Sequence, residues 1–87
     1  MKHVFEKDAN NGDELLFFPW FLEQFMTHLE LDNNNITDIG IEKLVPALKE
    51  MKGMAYLDLY NNNITNAGKN EILEVCKTYE NIIDCWV

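Results

Sequence analysis

Three side chains of the kinds that bind divalent metal ions stand at related places in the sequence: His28, Glu30 and Asp58. Imidazole and carboxylate groups are ligands for zinc and manganese. His28 and Glu30 are two residues apart and would share one face of a strand, and Asp58 follows Glu30 by one period of an internal repeat. A divalent-metal or hydrolytic site is therefore one hypothesis. Because an open strand surface forms no pocket that excludes water, we instead expect no metal, no cofactor and no enzymatic activity.

The same strand positions carry acidic and aromatic side chains, which suit the binding of another protein. Aromatic rings anchor protein interfaces, and carboxylates pair with Lys or Arg of a partner. The expected partner is a protein with a basic segment. We predict a partner-binding surface formed by His28, Glu30, Asp32, Tyr56, Asp58, Tyr60, Asp84 and Trp86.

The composition favours a protein partner over a nucleic acid or a membrane. The formal net charge is −8, and all 7 basic residues are lysines. Nucleic acids and anionic membranes attract clustered positive charge, which this sequence does not provide. No apolar run reaches the ~18 residues of a membrane span, and the first residues lack the apolar core of a signal peptide. We therefore expect a soluble cytoplasmic protein.

The two cysteines, Cys76 and Cys85, do not form a disulfide framework. Each replaces a leucine of the repeat, Leu48 and Leu57 respectively. We expect buried free thiols that act as small apolar side chains. A reactive thiol needs an electropositive setting, which the acidic flanking residues do not supply.

An internal repeat of 28 residues must position these side chains. The stretch HLELDNNNITDIGIEKLVPALKEMKG returns as YLDLYNNNITNAGKNEILEVCKTYEN without a gap. A third start follows at the same spacing, with Ile82, Cys85 and Val87 in phase. Repetition at this period predicts a solenoid, in which stacked units bury a core that no single unit can bury alone.

Each repeat opens with alternating apolar and polar residues, which predicts a strand. If neighbouring strands lie in register, their outward side chains form columns across a sheet. The columns are His28, Tyr56 and Asp84, then Glu30, Asp58 and Trp86, then Asp32 and Tyr60.

The second half of each repeat predicts an asparagine turn and a helix. Asparagine tolerates turn geometry, and Asn34 and Asn62 would stack as a ladder. Thr37 or Asp38 can cap the next helix, and Pro46 implies that this helix either begins late or kinks. The buried stripe is Leu44, Ala47, Leu48 and Met51, repeated as Ile72, Val75, Cys76 and Tyr79. Gly53 and Asn81 should close the helices in the left-handed conformation.

Residues 1–25 form an imperfect first unit. The run DELLFFPWFLEQF predicts an amphipathic helix that Pro19 ends or kinks near its middle. Two interpretations of its aromatic residues stay open: a cap over the end of the core, or an exposed docking patch. The aromatic residues are Phe17, Phe18, Trp20, Phe21 and Phe25.

The repeated pattern resembles the ribonuclease-inhibitor-like class of leucine-rich repeat. It reads Leu29-x-Leu31-x-x-Asn34-x-Ile36-Thr37-x-x-Gly40-x-x-x-Leu44, and again Leu57-x-Leu59-x-x-Asn62-x-Ile64-Thr65-x-x-Gly68-x-x-x-Ile72. The resemblance implies an α/β fold: a short right-handed solenoid with parallel strands on the concave face and helices on the convex face. It also implies one domain, with a capping unit at 1–25, repeats at 26–53 and 54–81, and the start of a further repeat at 82–87.

What the resemblance implies about function is a scaffold for protein–protein interaction. The alternative is a self-associating structural fragment of a longer repeat protein, since the final strand is short, apolar and unpaired at its outer edge. A homo-oligomer through that strand would then extend the solenoid.

Overall fold

The computed structural model describes residues 1–5, 7–78, 82 and 84–87. It is a mixed α/β structure with one parallel sheet of four strands in the order β1-β2-β3-β4. Parallel neighbours need a crossover, and helical segments lie between successive strands. In chain order the elements are β1 Lys2–Val4, a 3₁₀ helix Gly12–Leu15, α1 Trp20–Glu23, β2 His28–Glu30, α2 Asp38–Glu50, β3 Tyr56–Asp58, α3 Asn66–Thr78 and β4 Asp84–Trp86.

The strand register confirms the first two predicted columns. His28 lies opposite Tyr56, which lies opposite Asp84. In the next column Asp58 stands between Glu30 and Trp86. A spacing of 28 residues between β2, β3 and β4 therefore places equivalent side chains side by side.

Strand β1 was not predicted. It pairs in parallel with β2, with Lys2 opposite His28 and Val4 opposite Glu30. The offset between Lys2 and His28 is 26 residues, whereas later strands are 28 apart. Because β1 is two residues out of phase with the later strands, a fixed-period comparison cannot find it.

The core lies between the sheet and the helices and follows the repeat. Leu29 and Leu57 are fully buried, as are Leu44 and Ile72 on the helices that cover them. The predicted helical stripe is buried at Leu44, Leu48, Met51 and Ile72, and half-buried at Ala47, Val75 and Cys76; Tyr79 lies outside the described residues. Equal spacing thus buries equivalent side chains, as a stack of repeats requires.

The asparagine turns have the predicted geometry. Asn33, Asn35 and Asn61 take φ angles of 59°, 55° and 57°, in the left-handed region that asparagine tolerates better than most residues. The predicted ladder is also confirmed, because the backbone N–H of Asn34 donates to the side-chain Oδ1 of Asn62 at 2.9 Å. Side-chain amides therefore tie each turn to the next one.

Helix α2 begins at Asp38, so the late start considered for Pro46 is wrong. Thr37 caps it, accepting a hydrogen bond from the Ile39 N–H at 3.2 Å. Pro46 lies inside the helix on its exposed side, where the carbonyl one turn earlier, which loses its N–H donor, can bond to water instead.

The prediction for Gly53 is wrong, because no described glycine has a positive φ. Helix α2 ends at Glu50, and the Met51 N–H closes a tight turn onto the Leu48 carbonyl at 3.1 Å. That turn completes before Gly53 is reached, so a left-handed residue is not needed there. Asn81, predicted to play the same part after α3, lies outside the described residues.

The helix predicted near the start of the chain is interrupted at Pro19, as expected, but the segments on either side are a short 3₁₀ helix and a short α-helix rather than parts of one amphipathic helix. A 3₁₀ helix ends at Leu15, and α1 begins only at Trp20, after an extended Pro19 with ψ of 140°. Proline fixes φ and disfavours helix in the residue before it, which separates the two segments.

The aromatic residues of this segment differ in burial. Phe18 is buried and packs edge-on against Phe5, with ring centroids 6.1 Å apart. The other aromatic side chains are exposed: Phe17, Trp20, Phe21 and Phe25. Among the described helices, none is both long and apolar enough to cross a membrane.

Candidate protein-binding face

A shallow depression of about 410 Å³ lies on the side of the sheet away from the core, lined by Tyr56, Asp58, Tyr60 and Trp86. We call these residues the binding depression. Alternation along β3 turns Leu57 into the core and leaves Tyr56 and Asp58 outside. Trp86 stands beside Asp58 on β4, in register.

The carboxylate of Asp58 organises the depression. Its Oδ1 accepts a hydrogen bond from the Tyr60 N–H at 2.9 Å, and its Oδ2 accepts one from the Tyr56 hydroxyl at 3.4 Å. The first bond fixes the start of the turn after β3, where Tyr60 stays 64% exposed. The charge of Asp58 is therefore held at the centre of a partly apolar surface.

The electrostatic setting of this surface is negative. Burial raises the pKa of Tyr56, and the charges of Asp58 and Glu30 raise it further. Each effect disfavours an additional negative charge on the phenol. A positive group placed here would meet the opposite, favourable potential.

Two of the predicted acidic residues already have partners in the chain's first segment. Lys2 lies 3.5 Å from Glu30, and Lys7 lies 2.8 Å from Asp32. The hydrogen bond from Lys7 is the main cause that lowers the pKa of Asp32, and the same bond raises the pKa of Lys7. These ion pairs neutralise the β2 end of the face, whereas none is found for Asp58 within the described part of the chain.

His28 stacks on Tyr56, with ring centroids 5.9 Å apart and planes 25° apart. Its Nδ1 also lies 3.0 Å from Oγ1 of Thr27. Glu30, in the same predicted metal cluster, pairs with Lys2 instead. Across the described ranges, no three His, Cys, Asp or Glu side chains converge as metal ligands, so the geometry does not support a metal site at His28, Glu30 and Asp58.

Asp84 is exposed and lies opposite Tyr56 across β3 and β4. The structure thus brings Tyr56, Asp58, Tyr60 and Trp86 together, and sets His28 and Asp84 on either side of Tyr56. Glu30 and Asp32 lie on the side occupied by the lysines of the first segment.

The cysteines are free, as predicted, but they are half-buried rather than buried. Cys85 ends the row of core side chains that begins with Leu29 and Leu57. A hydrogen bond between the two thiols lowers the pKa of Cys76 and raises that of Cys85. They lie at the end of the sheet, where no further described strand covers them.

Sequence reasoning missed the carboxylates that join successive turns. Asp13 accepts hydrogen bonds from the Thr37 N–H at 2.8 Å and the Thr37 hydroxyl at 2.6 Å. Asp38 accepts the same pair of bonds from Thr65. Asp13 and Asp38 are 25 residues apart, so a comparison at the 28-residue period does not reveal that they accept equivalent hydrogen bonds.

A family model described as a leucine-rich repeat matches residues 24–45. The matched segment contains β2, the first asparagine turn and the first part of α2. No curated protein and no solved structure matches the chain. The match supports a leucine-rich repeat here, and such repeats generally mediate protein–protein interaction and are generally not enzymes.

Proposed function

We propose that this chain is a protein-interaction module that binds a basic segment of another protein at the binding depression. The single observation that carries the proposal is that Asp58 lies among three aromatic side chains with no ion pair to any described residue, whereas Glu30 and Asp32 are each paired with a lysine. The wider contact surface takes in His28, Glu30, Asp32 and Asp84 around that centre.

The chemistry of the depression suits a basic segment. Tyr and Trp offer large contact areas at a small cost in side-chain entropy, which is why they anchor interfaces. The formal net charge of −8 steers positive partners toward the chain and repels acidic ones. An arriving Lys or Arg can pair with Asp58 without displacing Lys2 or Lys7.

We infer a matching architecture from the repeat. The depression would lie on the concave face of a short right-handed solenoid of the ribonuclease-inhibitor-like class. Its single domain would contain a capping unit at 1–25, repeats at 26–53 and 54–81, and the start of another at 82–87. The parallel sheet, the 28-residue offsets and the leucine-rich-repeat match support this inference.

Calorimetric titration with three peptides of equal length, one lysine-rich, one neutral and one glutamate-rich, tests the proposal. The lysine-rich peptide should bind, and added salt should weaken it. Asp58→Asn should reduce its affinity about fivefold or more, because close charge pairs at interfaces contribute strongly. The matched variant Glu30→Gln should change it less than about twofold, since Lys2 already offsets that charge. Equal binding of all three peptides, or equal effects of the two variants, would overturn the proposal.

A second candidate is self-association through β4. This strand is the last in the sheet order, so its outer edge has no described neighbour. Unpaired edges offer N–H and C=O groups to another strand. A second copy pairing there would lengthen the sheet and cover the two half-buried thiols.

A further inference from the structure

The binding depression combines three aromatic rings with one carboxylate. Tyr56 is half-buried, whereas Tyr60 and Trp86 are 64% and 56% exposed. The faces of aromatic rings carry partial negative charge and attract cations within about 6 Å of the ring centre. The depression therefore combines three rings that can attract a cation with one full negative charge.

The carboxylate is already partly occupied, because two of its roughly four acceptor positions are in use. Oδ1 of Asp58 accepts from the Tyr60 N–H, and Oδ2 accepts from the Tyr56 hydroxyl. An unmodified lysine ammonium brings three N–H donors, and an arginine guanidinium brings five. The acceptor positions left on Asp58 cannot serve all of those donors, and a donor that loses water here without gaining an acceptor costs free energy.

A methylated ammonium group does not carry that cost. Methylation keeps the positive charge but replaces N–H donors with methyl groups, which pack against rings. The rings then supply both the apolar contact and the electrostatic attraction, and Asp58 supplies the net charge. We propose that the binding depression recognises a methylated lysine side chain of the partner, held by cation–π contacts with Tyr56, Tyr60 and Trp86 beside the negative charge of Asp58.

This inference rests on the proposed function, because it specifies which basic group occupies the same depression. The test uses three small probes: the N-acetyl amides of trimethyllysine, of lysine, and of the neutral analogue in which a tert-butyl carbon replaces the charged nitrogen. The tert-butyl group matches the shape of trimethylammonium without its charge. Binding is followed by amide chemical shifts in ¹H–¹⁵N spectra of the whole chain.

We expect trimethyllysine to bind at least about fivefold more tightly than the tert-butyl analogue, as a cation–π contact requires. It should also bind more tightly than lysine. Tyr60→Leu keeps an apolar side chain at an exposed position and should remove most of this preference without affecting folding. The matched control Trp20→Leu changes an exposed aromatic residue in α1 and should have no effect.

The outcomes separate this inference from the proposed function. If lysine binds as tightly as trimethyllysine and the lysine-rich peptide still binds, recognition is of plain positive charge and the inference is wrong while the proposed function stands. If the tert-butyl analogue binds equally well, the depression is only an apolar site and the inference is again wrong. If neither the small probes nor the lysine-rich peptide binds, both the inference and the proposed function are wrong.

Discussion

At the scale of single residues, the side-chain amide of Asn62 holds two turns together. Its Oδ1 accepts from the N–H groups of Asn34 and Ile36, each at 2.9 Å, and its Nδ2 donates to the Leu31 and Leu59 carbonyls. The N–H groups of Asn34 and Ile36 lie outside the helices and strands, and the Asn62 side chain supplies their acceptor.

Asn62→Ala should therefore lower the free energy of unfolding by about 2 kcal/mol or more, because it leaves two N–H groups unpaired. The matched control is Asn63→Ala, which removes an exposed bond to Asn35 and should cost less than about 1 kcal/mol. Urea unfolding followed by circular dichroism measures both. Equal losses would show that the Asn62 amide is not the tie between the turns.

Asp38 gives the second residue-scale prediction, which concerns pH. Hydrogen bonds from the Thr65 hydroxyl and N–H lower the pKa of this carboxyl below its ordinary value of 3.8. A lowered folded pKa adds stability that is fully present above the ordinary value and is lost as pH falls through the folded pKa. The melting temperature should therefore fall in this acid range, and Asp38→Asn should make it depend less on pH.

Glu42→Gln is the control for this experiment. Glu42 is exposed on the same helix, and its loss removes the same charge without touching Thr65. If the melting temperatures of the Asp38 and Glu42 variants depend on pH in the same way, the hydrogen bonds to Thr65 do not couple stability to pH.

The role of a residue could be predicted from the sequence where its position follows the 28-residue period. Leu29 and Leu57 occupy equivalent core positions, and Asn34 and Asn62 make the expected ladder, because every unit repeats the same environment. Asp13 does its work from a position that is out of phase with Asp38. Comparing one repeat with another could therefore not identify the pairing of Asp13 with Thr37.

At the scale of elements, glycine marks where a helix meets the unit before it. A Cβ on Gly68 would lie 2.5 Å from Oδ1 of Asp38 and 2.7 Å from Cγ2 of Ile64. A Cβ on Gly40 would lie 2.3 Å from Oδ1 of Asp13. The first turn of each long helix thus lies directly against the carboxylate that ties the turns together.

Gly68→Ala should destabilise the fold by about 1–3 kcal/mol, although alanine normally favours a helix, because the added methyl overpacks this contact. Gly53→Ala is the matched control. Its Cβ would meet no atom closer than 3.8 Å, so the change should stay within about 0.5 kcal/mol. Melting temperatures of the two variants measure the difference, and a neutral Gly68→Ala would contradict the close packing.

Elements were predictable where the repeat is complete and not where it degenerates. Helices α2 and α3 and strands β2 to β4 lie where the pattern placed them, since apolar spacing there follows the helix and strand periods. The first unit differs because Pro19 interrupts its helix and because β1 is two residues out of phase. The ion pairs Lys2–Glu30 and Lys7–Asp32 depend on the position of that strand, so the sequence did not reveal them.

At the scale of the whole molecule, the outer edge of β4, which has no described neighbour, leads to a prediction about the molecular mass in solution. The net charge of −8 opposes association and is screened by salt. If β4 self-associates, sedimentation equilibrium should show a dimer that strengthens as salt rises, and Trp86→Lys should return it to a monomer. Ile83, the other edge residue chosen from the sequence, lies outside the described residues.

A monomer at all salt concentrations would contradict the self-association candidate and leave the binding depression free for a partner. An association that Trp86→Lys leaves unchanged would place the contact elsewhere, for example on the exposed aromatic residues beside α1. The two results distinguish the edge of the sheet from the other apolar surface of the molecule.

The most direct test of the central claim is a ¹H–¹⁵N titration of the whole chain with the lysine-rich peptide, because it reports where binding occurs. We predict that the largest shifts fall on the amides of Tyr56, Asp58, Tyr60 and Trp86, and that those of Phe17, Trp20 and Phe21 stay unchanged. Shifts concentrated on the second group, or no shifts at saturating peptide, would contradict the claim that the binding depression receives a basic segment.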